Sequence, residues 1–102
     1  MSSSENNQTS ESVCAKVLIS GQVQGVGFRY FATSTAQDFP VNGYVRNLDT
    51  GDVEVEVEGL KGDVSRFLAA LRQGPRWSHV NRFQIEWKTF EGLYEQFFVK
   101  FK

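Results

Sequence analysis

The chain has 102 residues, of which 40% are apolar and nine are phenylalanine, so it suffices for one hydrophobic core and is too short for two. Its formal net charge of −1 argues against nucleic acid or a membrane surface as the main partner. Its single cysteine excludes an internal disulfide and a multi-cysteine metal site, and is compatible with a cytoplasmic protein.

The N-terminal residues 1–12 are rich in serine, asparagine, glutamine and glutamate. This composition buries too little apolar surface to offset the entropy lost on ordering, so we expect a disordered tail followed by one domain over residues 13–102. The tail lacks the apolar centre of a secretory signal, and no apolar stretch approaches the roughly 18 residues of a membrane span. We therefore expect a cytoplasmic protein with no membrane partner.

The first predicted strand covers residues 13–20, where apolar and polar side chains alternate. Cys14 lies in this strand, so we expect a buried thiol there rather than a nucleophile. The side of the strand that faces the core is formed by three apolar residues: Ala15, Val17 and Ile19.

A glycine-rich segment, Gly21–Arg29, follows this strand and reads GQVQGVGFR. Glycine lets the backbone approach a ligand closely and adopt positive φ, so several N–H groups of the loop can point at one anion. Apolar residues then recur at three- and four-residue spacing, which predicts an amphipathic helix from Phe28 that Pro40 ends. The N-terminus of that helix would face the same anion.

The glycine segment also has a purely structural interpretation, as a tight strand-to-helix turn with Arg29 in solvent. A positive charge in the first turn of a helix is mildly unfavourable, however, by about 0.3–1 kcal/mol. This local conflict favours an anionic ligand beside Arg29.

The second half of the chain is predicted to contain four strands and one helix. The helix is indicated by apolar residues spaced along one face of residues 64–71, and Gly74 and Pro75 end it. One strand reads Asp-Val-Glu-Val-Glu-Val-Glu, which predicts valines on the core and glutamates in water. Trp77 and Trp87 are expected to pack in the core or at a helix edge. The four strands are expected at 44–46, 52–58, 79–90 and 95–102.

The order of elements, βαββαβ with an additional short C-terminal strand, predicts an α+β fold of the ferredoxin-like α/β sandwich type. Both helices should cover one face of an antiparallel sheet. The first strand would lie centrally, which places the loop of residues 21–27 at the middle of a sheet edge. The turn at residues 48–51 would bring Asn47 near that loop.

Asn47 has two interpretations at the end of its strand. An asparagine there often bonds its own backbone in an Asx turn. Alternatively, its amide donates and accepts at once and can hold a water in line for attack. The sequence offers no obvious general base, nucleophile or metal cluster beside the loop. A phosphate bond whose leaving group is a carboxylate needs none of these, only positioning and charge stabilisation.

Two motifs in the sequence closely resemble those of the acylphosphatase family. The first family pattern (aliphatic, any, Gly, any, Val-Gln-Gly-Val, any, Phe-Arg) is met in full over residues 19–29. The second, which begins Gly, aromatic, small apolar, basic or polar, Asn, is met over residues 43–59. The resemblance implies the expected fold and hydrolysis of an acyl phosphate to carboxylate and inorganic phosphate, without metal or other cofactor.

The resemblance also implies roles for single residues. Arg29 matches the arginine that binds phosphate, and Asn47 matches the asparagine that orients the attacking water. The segment whose backbone binds phosphate oxygens corresponds to Gln24, Gly25, Val26, Gly27 and Phe28. We therefore expect a cytoplasmic, monomeric hydrolase whose partner is a small acyl phosphate and which binds no nucleic acid.

Two alternatives remain open. One is a related domain that handles carbamoyl phosphate, as found at the front of larger hydrogenase-maturation proteins; the lack of zinc-finger cysteines makes this less favoured. The other is a binding module without activity, because a fold does not determine a function. An RNA-binding module would need exposed aromatic and basic residues on its central strands, and the glutamates of residues 52–58 would repel RNA.

Overall fold

The structure is a computed structural model that describes residues 10–101, so the disorder predicted for residues 1–9 lies outside the described part. Ser12, which the sequence assigns to the tail, instead begins the first strand. The carbonyl of Glu11 accepts a hydrogen bond from the Lys61 amide at 2.8 Å. The domain thus includes Glu11 and Ser12, because backbone hydrogen bonds rather than apolar side chains hold these residues.

Between Ser12 and Phe101 the chain forms five strands and two helices in the predicted order. The last strand is shorter than the sequence predicts, because only three of its residues pair with a neighbouring strand. In chain order the elements are β1 (Ser12–Gln22), α1 (Phe28–Ala36), β2 (Asn42–Asn47), β3 (Val53–Leu60), α2 (Lys61–Gln73), β4 (His79–Lys88) and β5 (Phe97–Val99).

The five strands form one sheet in the order β4-β1-β3-β2-β5. Every neighbouring pair is antiparallel except β2 and β5, which are parallel, so the predicted antiparallel sheet is in fact mixed. The physical reason is the connection after β4. Residues 89–96 carry the chain from one edge of the sheet to the other, and β5 then starts at the end of the sheet where β4 stopped.

Both helices cover one face of the sheet, as predicted, and enclose the apolar core. The inward-facing residues of β1 named above are fully buried, and so are Val53, Val55 and Val57 of β3. The helices contribute seven buried residues to the same layer: Phe28, Ala32, Ala36, Val64, Phe67, Leu68 and Leu71.

The opposite face of the sheet differs from the prediction. Glu54, Glu56 and Glu58 were expected in water, yet only 7%, 7% and 3% of their surfaces are exposed. The segment that links β4 to β5 covers part of this face, and neighbouring strands supply polar partners for the carboxylates. We call Glu54, Glu56, Glu58 and the groups that bond them the glutamate face.

Glu54 is bonded by side chains of two neighbouring strands. Its Oε1 accepts hydrogen bonds from the Tyr44 hydroxyl at 3.0 Å and from Arg46 Nε at 2.7 Å, and Lys16 Nζ lies 3.5 Å from Oε2. Burial alone would raise the pKa of Glu54, but these donors and charges hold that pKa below its usual range. Arg46, expected in solvent, is therefore part of an ion pair.

The other two glutamates bond the segment that crosses the sheet. Glu56 accepts a hydrogen bond from the Tyr94 hydroxyl at 2.7 Å, and Lys88 Nζ lies 3.6 Å from its carboxylate. The Glu58 carboxylate accepts four backbone N–H groups, from residues 91–94, at 2.9–3.4 Å. These bonds explain how three carboxylates can lie buried on one strand.

Three further residues have environments that bear on the sequence predictions. Trp77 and Trp87 were expected to be packed, but 75% and 45% of their surfaces are exposed. Trp87 lies on β4, an edge strand, and Trp77 lies in the connection after α2, so neither is enclosed. Cys14 is buried as predicted, and burial raises the pKa of its thiol to about 11.

Candidate active site

The loop between β1 and α1 has the backbone that its glycines suggest. Gly25 and Gly27 adopt φ of 76° and 79°, values that side chains rarely tolerate. Gly27 is the N-terminal cap of α1, and none of the described side chains bonds the N–H groups of the first turn. That turn contains no acidic residue. The helix therefore begins with unsatisfied donors and a positive dipole end, which together suit an anion.

Arg29 and Asn47, far apart in the sequence, line the same pocket. The pocket has a volume of about 200 Å³, and both side chains are partly exposed in it. It lies where the loop and the end of β2 meet, as expected for a loop that leaves a central strand. The full lining is Val23, Gly25, Gly27, Phe28, Arg29, Tyr30 and Asn47.

Asn47 is the last residue of β2, and the turn that follows it is closed by backbone groups. The Leu48 amide donates to the Asp52 carbonyl at 2.8 Å, and the Gly51 amide donates to the Leu48 carbonyl at 3.1 Å. Within residues 10–101 the Asn47 side chain makes no hydrogen bond, so the Asx-turn interpretation does not describe this structure. Asn47 instead contributes to the lining of the pocket.

The side chain of Gln24 makes two hydrogen bonds to the turn after β2. Its side-chain Nε2 donates to the carbonyls of Leu48 and Asp52, both at 2.8 Å. These two bonds fasten the glycine loop to the turn that follows Asn47. Gln24 therefore sets the spacing between the two halves of the pocket, which the sequence alone did not indicate.

Two of the predicted site residues do not line the pocket. Gln24 bonds the turn through its side chain. Val26 lines a separate groove beside α1. Gly25, Gly27, Phe28, Arg29 and Asn47 do line it. The catalytic and binding roles of all seven residues stay predictions.

Phe101 was missed as a neighbour of the site. The Arg29 guanidinium carbon lies 5.3 Å from the centroid of the Phe101 ring, within the range of a cation–π contact. The sequence placed Phe101 in a strand over residues 95–102, but β5 ends at Val99 and Phe101 is 79% exposed. Sequence periodicity contains no signal for a contact made after the strand has ended.

Residues 10–101 contain no group of three or more His, Cys, Asp or Glu side chains arranged to hold a metal ion. In the same part of the chain no helix is both long and apolar enough to cross a membrane.

The architecture defines a ferredoxin-like α/β sandwich with a pocket where the β1–α1 loop meets the end of β2. Comparison with known proteins then identifies the family. The acylphosphatase family model matches residues 15–99. An acylphosphatase of Syntrophotalea carbinolica is 45% identical over 86 residues, which cover 84% of this chain and 94% of that protein. The chain therefore belongs to the acylphosphatase family, and the enzyme class predicted from the sequence is confirmed at the level of the family.

Solved structures agree with this assignment. The crystal structure of acylphosphatase from Bacillus subtilis superposes with a TM-score of 0.83 at 30% identity, covering 86% of this chain and 98% of that one. The structure of HypF from T. kodakarensis gives a TM-score of 0.78 at 28% identity, covering 90% of this chain but only 12% of HypF. The chain thus matches nearly the whole length of the Bacillus subtilis acylphosphatase, but only a small part of HypF.

Proposed function

We propose that this chain hydrolyses acyl phosphates to a carboxylate and inorganic phosphate by in-line attack of water. The observation that carries this proposal is that Arg29, Asn47 and the two positive-φ glycines of the loop line one pocket. The lining comes from a single chain, so we also propose that a monomer is sufficient for activity. We place the reaction in the cytoplasm, in keeping with the single, free thiol of the chain.

In this mechanism the phosphate group lies against the N-terminus of α1. Backbone N–H groups of residues 24–28 and the forked guanidinium of Arg29 donate to its oxygens. In the transition state the negative charge is spread over the equatorial oxygens of the phosphate. The N–H groups and the guanidinium are already in place, so they stabilise this charge without having to reorganise. The cation–π contact with Phe101 restricts the guanidinium before substrate arrives.

The attacking water is held by Asn47. Its amide oxygen accepts a hydrogen bond from the water, which directs a lone pair of the water at phosphorus. The bond from phosphorus to the bridging oxygen breaks and leaves a carboxylate, which needs no proton because its pKa is low. The proton lost by the water ends on the phosphate product, so no general acid or base is required.

Hydrolysis of benzoyl phosphate by the purified protein is the direct measurement of this function. We expect turnover that follows saturation kinetics and that persists at full rate in EDTA, because the proposed chemistry uses no metal. Release of inorganic phosphate and loss of the acyl phosphate absorbance should agree in rate. A folded protein that gives no turnover, or turnover that EDTA abolishes and added metal restores, would contradict the proposal. Carbamoyl phosphate in the same assay tests the alternative of a domain that handles carbamoyl phosphate.

Gln24→Glu should lower both stability and turnover. The new carboxylate would face the carbonyls of Leu48 and Asp52 with no proton to donate, so the free energy of unfolding should fall by about 1–3 kcal/mol. Asn47 directly precedes this turn, so a shift of the turn would displace its side chain. We therefore expect kcat to fall about 10- to 100-fold, because small misplacements of catalytic groups have effects of this size. Urea denaturation and steady-state kinetics measure the two effects.

The matched control is Gln84→Glu, at an exposed position of β4. It introduces the same charge change and should alter stability by no more than about 0.5 kcal/mol. Equal effects of the two variants would show that Gln24 does not hold the turn.

A further inference from the structure

A second cavity adjoins the active-site pocket. It is a groove of about 590 Å³ that runs between α1 and the connection after α2. Gly27 and Tyr30 line both the groove and the pocket, so the two spaces share a wall. By contrast, the cavity beside Lys16 and Glu54 on the glutamate face has no lining residue in common with the pocket.

The walls of the groove are mainly aromatic and apolar. Tyr30 and Trp77 are 77% and 75% exposed, and both line it. Single exposed aromatic residues need no explanation, but two that border one groove next to an active site suggest a ligand. Val26, Phe31 and Pro75 add further apolar surface. Val26 belongs to the glycine loop, yet it lines the groove and not the pocket. The loop therefore contributes to both spaces.

Four polar side chains also line the groove: Ser34, Thr35, Asp38 and Arg76. Arg76 places its guanidinium carbon 5.6 Å from the centroid of the Trp77 ring, and Asp38 lies among the lining residues. The contact with Arg76 restricts the Trp77 ring. A flat apolar group entering the groove would therefore meet an aromatic wall that is already partly ordered, which lowers the entropy cost of binding.

We propose that this groove binds the acyl group of the substrate, and that it favours acyl phosphates whose acyl group is aromatic; the inference rests on the proposed function. In an acyl phosphate one oxygen joins phosphorus to the acyl carbon, so the acyl group must lie directly beside the bound phosphate. In the proposed mechanism the phosphate and the attacking water fill the pocket of about 200 Å³. The groove shares the Gly27 and Tyr30 wall, and its aromatic faces suit a planar ring.

Kinetics with two substrates distinguishes this role from a general effect on catalysis. We expect Trp77→Ala to lower kcat/KM about tenfold for benzoyl phosphate, mainly through KM, and only about twofold for acetyl phosphate, whose methyl group is too small to reach Trp77. Trp87→Ala removes the other tryptophan from an exposed position on β4 and should leave both substrates unaffected. Equal losses for the two substrates in Trp77→Ala, or no loss for either, would overturn the proposal.

A binding measurement tests the groove without hydrolysis. The chain has two tryptophans, so in a Trp87→Phe variant the emission reports Trp77 alone. Benzoylphosphonate, which cannot be hydrolysed at its C–P bond, should change this emission in a saturable manner, whereas acetylphosphonate should not. The same response to both compounds, or to neither, would refute an acyl site at Trp77. If the wild type hydrolyses neither acyl phosphate but this difference is seen, the proposed function fails and the aryl site stands.

Discussion

Arg29→Gln is expected to lower kcat/KM for benzoyl phosphate by about 10³- to 10⁵-fold, the range seen when a phosphoryl-transfer enzyme loses its arginine. Glutamine keeps a hydrogen-bond donor but removes the charge that balances the phosphate oxygens. We therefore expect the affinity for inorganic phosphate, which should inhibit as the reaction product, to fall as well. The loss in kcat/KM should exceed the loss in phosphate affinity, because charge on the oxygens is best stabilised in the transition state.

Asn47→Ala should separate binding from chemistry. Loss of one oriented amide is expected to lower kcat by about 10²- to 10³-fold, as loss of a single preorganised donor does elsewhere. Inorganic phosphate should still bind with nearly normal affinity, because Arg29 and the loop are intact. Steady-state kinetics together with phosphate inhibition constants give both quantities for each variant.

Matched controls are available on surfaces away from the pocket. Arg66→Gln on α2 and Asn81→Ala on β4 make the same chemical changes at exposed positions. Both should retain turnover within a factor of about two, as exposed substitutions usually do. Turnover at the wild-type rate in both Arg29→Gln and Asn47→Ala would contradict the proposed mechanism, and an unchanged kcat in Asn47→Ala alone would remove the water-holding role.

Glu58→Ala should have the largest effect on stability. The carboxylate accepts four backbone N–H groups from the segment that crosses the sheet, at a position only 3% exposed. Its removal leaves those donors without their partner, so we expect the free energy of unfolding to fall by about 3 kcal/mol. Urea denaturation measures this change, and hydrogen exchange of the amides of residues 91–94 should accelerate strongly.

Glu86→Ala is the control for Glu58→Ala. Glu86 lies exposed on the edge strand β4, and its replacement should change stability by no more than about 0.5 kcal/mol. At temperatures where Glu58→Ala remains folded, kcat should stay close to that of the wild type, since Glu58 lies outside the pocket. A loss below 1 kcal/mol, or unaltered exchange of residues 91–94, would mean that other contacts hold the crossing segment.

The order of elements was predictable because its signals are local. Alternation marks β1 and β3, three- and four-residue spacing marks both helices, and Gly74 with Pro75 marks the end of α2. The meeting of Arg29 and Asn47 in one pocket was also expected, from the fold that the element order implies. The parallel pairing of β5 was not, since it depends on the path of residues 89–96 rather than on any repeat in the sequence.

Other features could not be predicted because they depend on distant partners. The amide of Gln24 reaches the turn after Asn47, and the ring of Phe101 reaches Arg29. Alternation in a strand shows only that every second residue lies on the same face of the sheet. It does not show whether that face is exposed to solvent. The glutamates of β3 were therefore assigned to water, although Tyr44 and the crossing segment bury them.

The glutamate face has a consequence for how the sequence can change over time. Glu54 depends on Tyr44, Arg46 and Lys16, so the effect of replacing any one of these residues depends on which residues occupy the other positions. A conservative exchange in the apolar core can be accepted alone, because shape is its main requirement. On the opposite side of the same sheet, substitutions must arrive in compatible sets, which makes its evolution coupled across strands.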